Sequence, residues 1–445
     1  MTVGLVIAAP ASGSGKTTIT LGLLRHFRDR GVRVGAAKVG PDYIDPAFHA
    51  AAGGRACVNL DAWAMRPQTL AALAAQVGAQ ADLVIAEGVM GLFDGAPDGT
   101  GSTADVAAAL GWPVVLVVDV RGQATSAAAT VLGFARFRPD VTVAGAIFNR
   151  TGGDRHAAML RRACAPLGIP VLGCLPRRED LAVPDRHLGL VQAAEHEDID
   201  AFCNRAAAAV AEHVDTDALA ALAAPTRPAV AAVPAVQTPG PALPPPGQRI
   251  AVAADVAFAF TYGFVLDGWR AAGAEIAPFS PLAGEAPDAG ADAVYLPGGY
   301  PELHAGRLAA NAAFLDGVRR AAARGAVVYG ECGGYMTLGR GLIDAAGIRH
   351  AMLGLLPVET SFARRRLHLG YRLAETAADG PFGTAGTAFR GHEFHFASIV
   401  SEDPGEAPLF RARDASGTDL GPVGARCGTV MGSFMHLIDR ADRPG

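Results

Sequence analysis

Val3-Gly4-Leu5-Val6-Ile7-Ala8-Ala9-Pro10-Ala11-Ser12-Gly13-Ser14-Gly15-Lys16-Thr17-Thr18 opens the chain with an apolar run, a loop of small residues and a G-K-T ending. The run reads as a strand, and the stretch 19–28 that follows reads as a helix. A loop of this composition between strand and helix points backbone N–H groups inward at the helix N-terminus, where they cradle phosphates. In that arrangement Gly13, Ser14, Gly15 and Thr18 form the cradle, Lys16 brings positive charge to the β and γ phosphates, and Thr17 offers its hydroxyl to Mg²⁺. Pro10 stands where the pattern ordinarily has its first glycine. The expectation is a nucleotide site on a mostly parallel sheet.

Outward from this loop, apolar runs at 33–39, 83–87, 114–120, 143–149 and 171–175 alternate with alanine-rich helical stretches. Such runs suit parallel strands covered on both faces by helices, so the first domain, placed at 1–222, is α/β. Ligands of these folds bind at the carboxyl ends of the strands. Glu87 ends one run and is the natural second Mg²⁺ contact beside Thr17, the other reading being an exposed strand end. Lys38-Val39-Gly40-Pro41-Asp42-Tyr43-Ile44-Asp45-Pro46 ends another run with a lysine, two carboxylates and rigid turns, and Asp94 lies in Met90-Gly91-Leu92-Phe93-Asp94-Gly95. Lys38, Asp42, Tyr43, Asp45 and Asp94 are candidates for positioning substrate, and Asp45 is a candidate for metal as well. Asp42 and Asp45 also suit turns beside their prolines, and which carboxylate meets metal and which meets substrate stays open.

Between Pro225 and Gly247 the chain has eight prolines and almost no charge, the composition of a stiff linker, placed at 223–247. The alternation restarts at 250–254, 275–279, 293–296 and 326–329, opening a second α/β domain at 248–445 whose last third reads as antiparallel. There Gly330-Glu331-Cys332-Gly333-Gly334 follows the run Ala326-Val327-Val328-Tyr329. Glycines around a cysteine at a strand end permit the cramped turn that lifts a nucleophile above a sheet. A helix expected over 335–342 would put Cys332 near its N-terminus, which favours the thiolate. Free cysteines usually pack in cores, a use the flanking glycines argue against.

A thiolate attacking a carboxamide needs an oxyanion site and a base. Gly299, closing a strand in Leu296-Pro297-Gly298-Gly299-Tyr300-Pro301-Glu302, and Gly333 are the candidate N–H donors, with an ordinary turn as the alternative. His436, after Gly432-Ser433-Phe434-Met435, is the candidate base among 12 histidines. The spacing in Gly391-His392-Glu393-Phe394-His395-Phe396 is not that of a helical zinc site, so a polar network or a contact to an anionic substrate is favoured over a metal. Arg364-Arg365-Arg366 reads as an exposed cationic face or a carboxylate binder.

Composition narrows the partners. The chain has 445 residues, half of them hydrophobic, and a net charge of −5 with no long basic run, so small molecules are expected rather than nucleic acid. Six scattered cysteines without paired or metal-type spacing fit a reducing cytoplasm. No uninterrupted apolar stretch has the length of a membrane span, and a homodimer is the default association.

Taken together, the motifs resemble the cobyrinic acid a,c-diamide synthase family of corrinoid biosynthesis over nearly the whole chain. The front half is similar to dethiobiotin-synthetase-like P-loop enzymes through 12–18, 38–46 and 87–95. The back half resembles cobyrinate-type class I glutamine amidotransferases through 296–302, 330–336, 391–396 and 432–436. The block 40–46 separates this family from cobyric acid synthases. The resemblance implies a P-loop NTPase-type domain joined to a second α/β amidotransferase domain, acting together as a carbon–nitrogen ligase. Cys332 and His436 would release ammonia from L-glutamine through a thioester, with Gly299 and Gly333 on the oxyanion. ATP and Mg²⁺ would activate the a and c acetates of a corrin macrocycle as acyl phosphates, and an enclosed route would carry ammonia between the sites. Asn149 resembles an adenine-reading position or caps its strand. Related amidotransferases have glutamate two residues after the histidine; here Ile438 stands there, and the group that orients His436 is unassigned. The Ala/Arg-rich composition leans toward metal-free hydrogenobyrinic acid over the cobalt corrin. The same chemistry on nickel-sirohydrochlorin is the nearest rival, and a P-loop ATPase switch with a non-catalytic glutaminase-like domain is the non-enzyme one.

Overall fold

Seven parallel strands form in the front half, six of them from the apolar runs: β1 (Val3–Ala8), β2 (Val34–Val39), β3 (Cys57–Leu60), β4 (Leu83–Glu87), β5 (Val114–Asp119), β6 (Val143–Thr151) and β7 (Val171–Pro176). Their order across the sheet is β3-β2-β4-β1-β5-β6-β7. β2 and β4 are buried along their whole length, which requires covering layers on both faces and explains why their sequences show no polar alternation. One side of the core is built from Leu5 and Ile7 of β1 against Ile19, Leu23 and Phe27 of the helix α1 (Lys16–Asp29). β1 lies in the middle, flanked by β4 and β5, at the place in an open parallel sheet where ligands bind beyond the strand ends. The helix α2 (Asp45–Gly53) follows β2 on the same rim. β3, four residues long and only partly buried, was not anticipated.

The structure is a computed structural model, and it describes residues 2–181, 198–227, 240–403 and 407–441. Two units are present, Met1–Trp63 with Pro67–Val236 and Ala64–Arg66 with Gln237–Gly445. Residues 228–239 of the expected linker lie outside the described residues. Its two ends are folded chain rather than spacer. β8 (Ala224–Pro225) pairs antiparallel with β1, and buried Leu243 accepts a hydrogen bond from the Trp269 indole at 3.1 Å. Leu243, between two of the prolines, is a buried side chain that composition did not reveal.

The second unit has a parallel core of β9 (Arg249–Ala253), β10 (Glu275–Phe279), β11 (Ala293–Leu296) and β12 (Val327–Glu331). Beyond β12 come β13 (Gly341–Ile343), β14 (Arg349–Ala351), β15 (Val358–Ser361), β16 (His368–Thr376), β17 (Ala388–His395) and β18 (Ser398–Glu402). The chain ends with β19 (Phe410–Asp414), β20 (Asp419–Val423), β21 (Ala425–Cys427), β22 (Val430–Ser433) and β23 (Met435–Arg440). Three sheets result, ordered β10-β9-β11-β12-β22-β21, β14-β13-β15-β18 and β20-β19-β16-β17-β23. The helix after Cys332 is Gly333–Leu338, shorter than expected and shifted two residues toward the cysteine. Gly339 takes extended backbone there, and 341–343 joins β13 instead of prolonging the helix. Among the described residues no helix is long and apolar enough to cross a membrane.

Candidate active site

The rim of the first unit gathers most of the residues singled out in the front half. Gly15, at φ +92°, turns the chain from the loop into α1, and a Cβ on it would lie 2.2 Å from Asn149 Nδ2. Only glycine allows both. Ser14 Oγ donates to the carbonyl of Ala11 (2.8 Å), and Asn149 Nδ2 donates to the carbonyl of Ser14 (2.9 Å), so Asn149 braces the loop. Arg150, at φ +61°, ties the Gly13 carbonyl (2.8 Å) to Asp119 (2.6 Å). Beside them a cavity of about 370 Å³ is lined by Gly15, Thr18, Asn149, Arg150, Pro176 and Leu181.

Thr17 Oγ1 donates to Glu87 Oε1 at 2.7 Å. The same carboxylate accepts from Lys38 Nζ (2.9 Å), and its other oxygen meets His49 Nε2 (2.6 Å). Glu87, Lys38 and His49 are all buried, so these charges lie in a medium where unpaired ions are prohibitive. Burial opposes the charge on Lys38, yet Glu87, Asp45 and Asp42 overcome it and hold the ammonium protonated. His49 is likewise raised, against burial, to about 10 by Glu87 and Cys57. Glu87 stays ionised against burial because Lys38 and His49 surround it. Asp45 Oδ2 is paired with Lys38 at 2.5 Å, and burial with the neighbouring Asp42 raises its carboxyl to about 6. Lys16 Nζ donates to the carbonyl of Met90 (2.7 Å), and burial lowers its pKa.

The adjoining oxygens of Thr17 and Glu87 are the hard donors that Mg²⁺ takes; both Glu87 oxygens are engaged by Thr17, Lys38 and His49 here, so the ion would displace one of these bonds. Asp45 is engaged by Lys38 and serves there as a counter-charge. Asp42 Oδ1 accepts from the backbone N–H groups of Ile44 (2.8 Å) and Asp45 (3.0 Å), which is the turn-forming reading of that residue. Asp94 does the same for Gly91 N–H at 2.8 Å. Tyr43 is half-buried in the Asp42 turn.

In the second unit β12 delivers the chain to Cys332, whose backbone at φ +48°, ψ −102° is one that L-residues rarely adopt. Such a conformation stores about 1–3 kcal/mol and persists only where neighbours enforce it. Here Cys332 N–H donates to the Ser433 carbonyl (2.8 Å) and Gly334 N–H to the Pro297 carbonyl (3.0 Å). The Cys332 thiol donates to the Phe394 carbonyl at 3.7 Å. Gly299 N lies 3.0 Å from where a Cβ on Gly333 would sit, so the two expected oxyanion donors border one spot.

β17 and β23 pair with His392 opposite His436, placing the imidazole next to the elbow. Gly298 marks the place: a Cβ on it would lie 2.3 Å from His436 Cε1 and 3.3 Å from Cys332 Cβ. Burial, then the neighbouring His392 and His395, pull His436 down to about 3, so the ring is neutral and able to accept a proton. The expected resting thiolate is corrected. Cys332 is buried, and desolvation together with the carboxylates Glu302, Glu331 and Glu393 pushes the thiol up, outweighing the Gly333 N–H. A six-residue helix supplies too little to reverse this.

His395 Nε2 meets Glu393 Oε1 (2.9 Å), and Arg372 Nε donates to Glu393 Oε2 (2.7 Å). One donor atom from each of His368, Glu393 and His395 falls within 4.8 Å of the others, a spacing open to a metal, but both oxygens of Glu393 are already engaged in this network.

Residues 249–444 match the CobB/CobQ-like glutamine amidotransferase domain, and residues 5–191 match the CobQ/CobB/MinD/ParA nucleotide binding domain. A hydrogenobyrinate a,c-diamide synthase of Brucella abortus is 57% identical over 439 residues, covering 98% of each chain. This chain belongs to the hydrogenobyrinate a,c-diamide synthase family. Members from Rhizobium meliloti and Rhodobacter capsulatus are 56% and 55% identical, each covering 98% of this chain and 99% and 98% of their own length. As a member of the hydrogenobyrinate a,c-diamide synthase family, it is an amidating ligase with a glutamine amidotransferase domain.

Three residues of these sites escaped the reading of the sequence. His49 lies four positions after Asp45, one turn along α2 from a residue already singled out. Arg150 directly follows Asn149. Glu331 directly precedes the nucleophile, with Oε2 3.7 Å from His436 Nδ1, and accepts hydrogen bonds from Tyr295 OH (2.7 Å), Tyr329 OH (2.8 Å) and Leu437 N–H (3.1 Å).

Proposed function

We propose that this chain converts the a and c acetate carboxylates of hydrogenobyrinic acid to carboxamides, with L-glutamine as nitrogen donor and ATP as activator. The observation that carries the reading is the Cys332 elbow beside a neutral His436, in a chain whose other unit joins a phosphate loop to the Thr17–Glu87 pair. The division of labour follows: 1–222 activates, 248–445 liberates ammonia, and the proline-rich stretch connects them.

As the glutamine carboxamide reaches the elbow, His436 takes the thiol proton while the Cys332 sulfur attacks the amide carbon. The Gly299 and Gly333 N–H groups receive the developing oxyanion, whose charge forms only at this moment and so is stabilised selectively. His436 returns the proton to the departing nitrogen, leaving ammonia and a thioester that water cleaves to glutamate. At the other site a carboxylate oxygen of the corrin attacks the γ-phosphorus of ATP and ADP leaves, giving an acyl phosphate. Ammonia displaces phosphate from the acyl carbon, losing a proton. Gly13 to Thr18 hold the triphosphate, and Lys16 offsets charge on the transferring group. Thr17 and Glu87 would hold Mg²⁺, which would supply Lewis-acid neutralisation of charge on the phosphate oxygens. Lys38, buried and held charged by its carboxylates, fixes Glu87 and Asp45 in place, and Asp42, Tyr43, Asp45 and Asp94 shape the substrate rim.

The test is incubation with ATP, Mg²⁺ and either glutamine or an ammonium salt, on hydrogenobyrinic acid, its cobalt counterpart and nickel-sirohydrochlorin. Each conversion lowers the mass by about 1 Da, as OH gives way to NH₂. Cys332→Ala should abolish the glutamine-driven product and keep the ammonium-driven one. Loss of neither would overturn the glutaminase role, and turnover of nickel-sirohydrochlorin alone would replace the substrate.

A further inference from the structure

We propose that Glu331 is the positioning residue of His436, holding its ring from the Nδ1 side and supplying the counter-charge when the ring becomes an imidazolium. The inference rests on the glutaminase reading above. β12 ends in Glu331 and pairs with β22, and β23 follows with His436, so the carboxylate and the ring meet across strands although 105 positions separate them in sequence. Their 3.7 Å separation is that of an ion-pair contact rather than a hydrogen bond. The carboxylate itself is immobilised by Tyr295 OH, Tyr329 OH and the Leu437 N–H, three donors that favour the anion. Leu437 is the residue next to His436, so the same hydrogen bond fixes the backbone that carries the ring.

Among the described residues, the groups facing Glu331 are these two tyrosines, His436 and Cys332, with His392, His395 and the carboxylate of Glu393 facing His436 from β17. Proton transfer from Cys332 to His436 creates a cation in a buried site already crowded by two further imidazoles. Glu331, held by its three donors 3.7 Å from Nδ1, offsets that cation where solvent does not reach. Burial raises its carboxyl to about 7, the donors working against the rise, so the protonated form loses the counter-charge at slightly acid pH.

The experiment measures glutaminase kcat/KM against pH for the full chain, with synthesis from ammonium salts as a control for the other site. Wild type should show an acid limb near pH 7. Glu331→Gln, which keeps the volume of the side chain, should lower kcat/KM by about 10²-fold and erase that limb. Tyr329→Phe removes one donor and should move the limb to higher pH, a shift that a purely structural Glu331 would not produce. An unchanged rate and limb in both variants overturns the proposal. If Cys332→Ala meanwhile loses glutamine-driven synthesis, the glutaminase reading stands and only the role of Glu331 falls.

Discussion

Gly298→Ala tests the placement of the imidazole over the nucleophile with a single methyl group. Gly298 does not need a left-handed backbone, so the substitution acts through contact alone. The new Cβ would sit 2.3 Å from His436 Cε1, against about 3.5–4.0 Å for a relaxed carbon–carbon contact, so the ring must retreat by more than about 1 Å. Misplacement on that scale costs about 10²-fold in rate. Overpacking of this kind costs about 1–3 kcal/mol, and for a unit of this size each kcal/mol moves Tm by about 2–4 °C. The assay is glutamate release from glutamine beside ammonium-driven amidation and a thermal melt. Glutaminase should fall about 10²-fold while ammonium-driven synthesis stays within about twofold. Full glutaminase activity with a melt shifted as expected would refute the reasoning, because the methyl would have displaced something other than the catalytic ring.

Thr17→Val removes the hydroxyl on Glu87 and should lower ammonium-driven amidation by at least about 10²-fold with the thermal midpoint nearly unchanged, read by initial rates over a Mg²⁺ titration. Lys38→Met takes the cation from half-buried Asp45 and leaves buried Glu87 with His49 alone, and should destabilise the first unit by about 3–5 kcal/mol, read by urea unfolding. Against burial, His395 and Arg372 hold the Glu393 carboxyl down at about 2, below its unfolded value of 4.5. A depressed carboxyl stabilises above its unfolded pKa and loses that contribution as pH falls through the folded one, so Glu393→Gln should cost up to about 3 kcal/mol at pH 7 and progressively less between pH 4.5 and 2, read by urea unfolding across that range. An enclosed ammonia route predicts that little ammonia reaches bulk solvent while glutamine, ATP and corrin turn over, as measured by a coupled ammonia assay.

The parallel strands of the first unit were legible because burial on both faces leaves unbroken apolar runs, as in Leu83–Glu87. The antiparallel character of the last third was legible too, but individual strands at its edges were not. β20, Asp419–Val423, is mostly exposed and carries glycine and proline, so nothing in its composition marks it as a strand. The phosphate loop and the elbow were readable because chemistry and backbone geometry there are local. Glu331 was hidden by distance along the chain: only the pairing of β12 with β22 brings it to His436. The protonation of Cys332 was misread for a related reason. Sequence displays the helix that follows the cysteine, whereas burial and the carboxylates around it belong to the folded unit.

The most direct measurement follows both transferred atoms in one reaction. Hydrogenobyrinic acid labelled with ¹⁸O in its carboxylates is incubated with amide-¹⁵N glutamine, ATP and Mg²⁺, and product and phosphate are analysed by mass spectrometry. The account predicts one ¹⁵N in each new carboxamide and one ¹⁸O in the inorganic phosphate released with it. Carboxamides that form while inorganic phosphate stays unlabelled, or that carry no ¹⁵N, would contradict it.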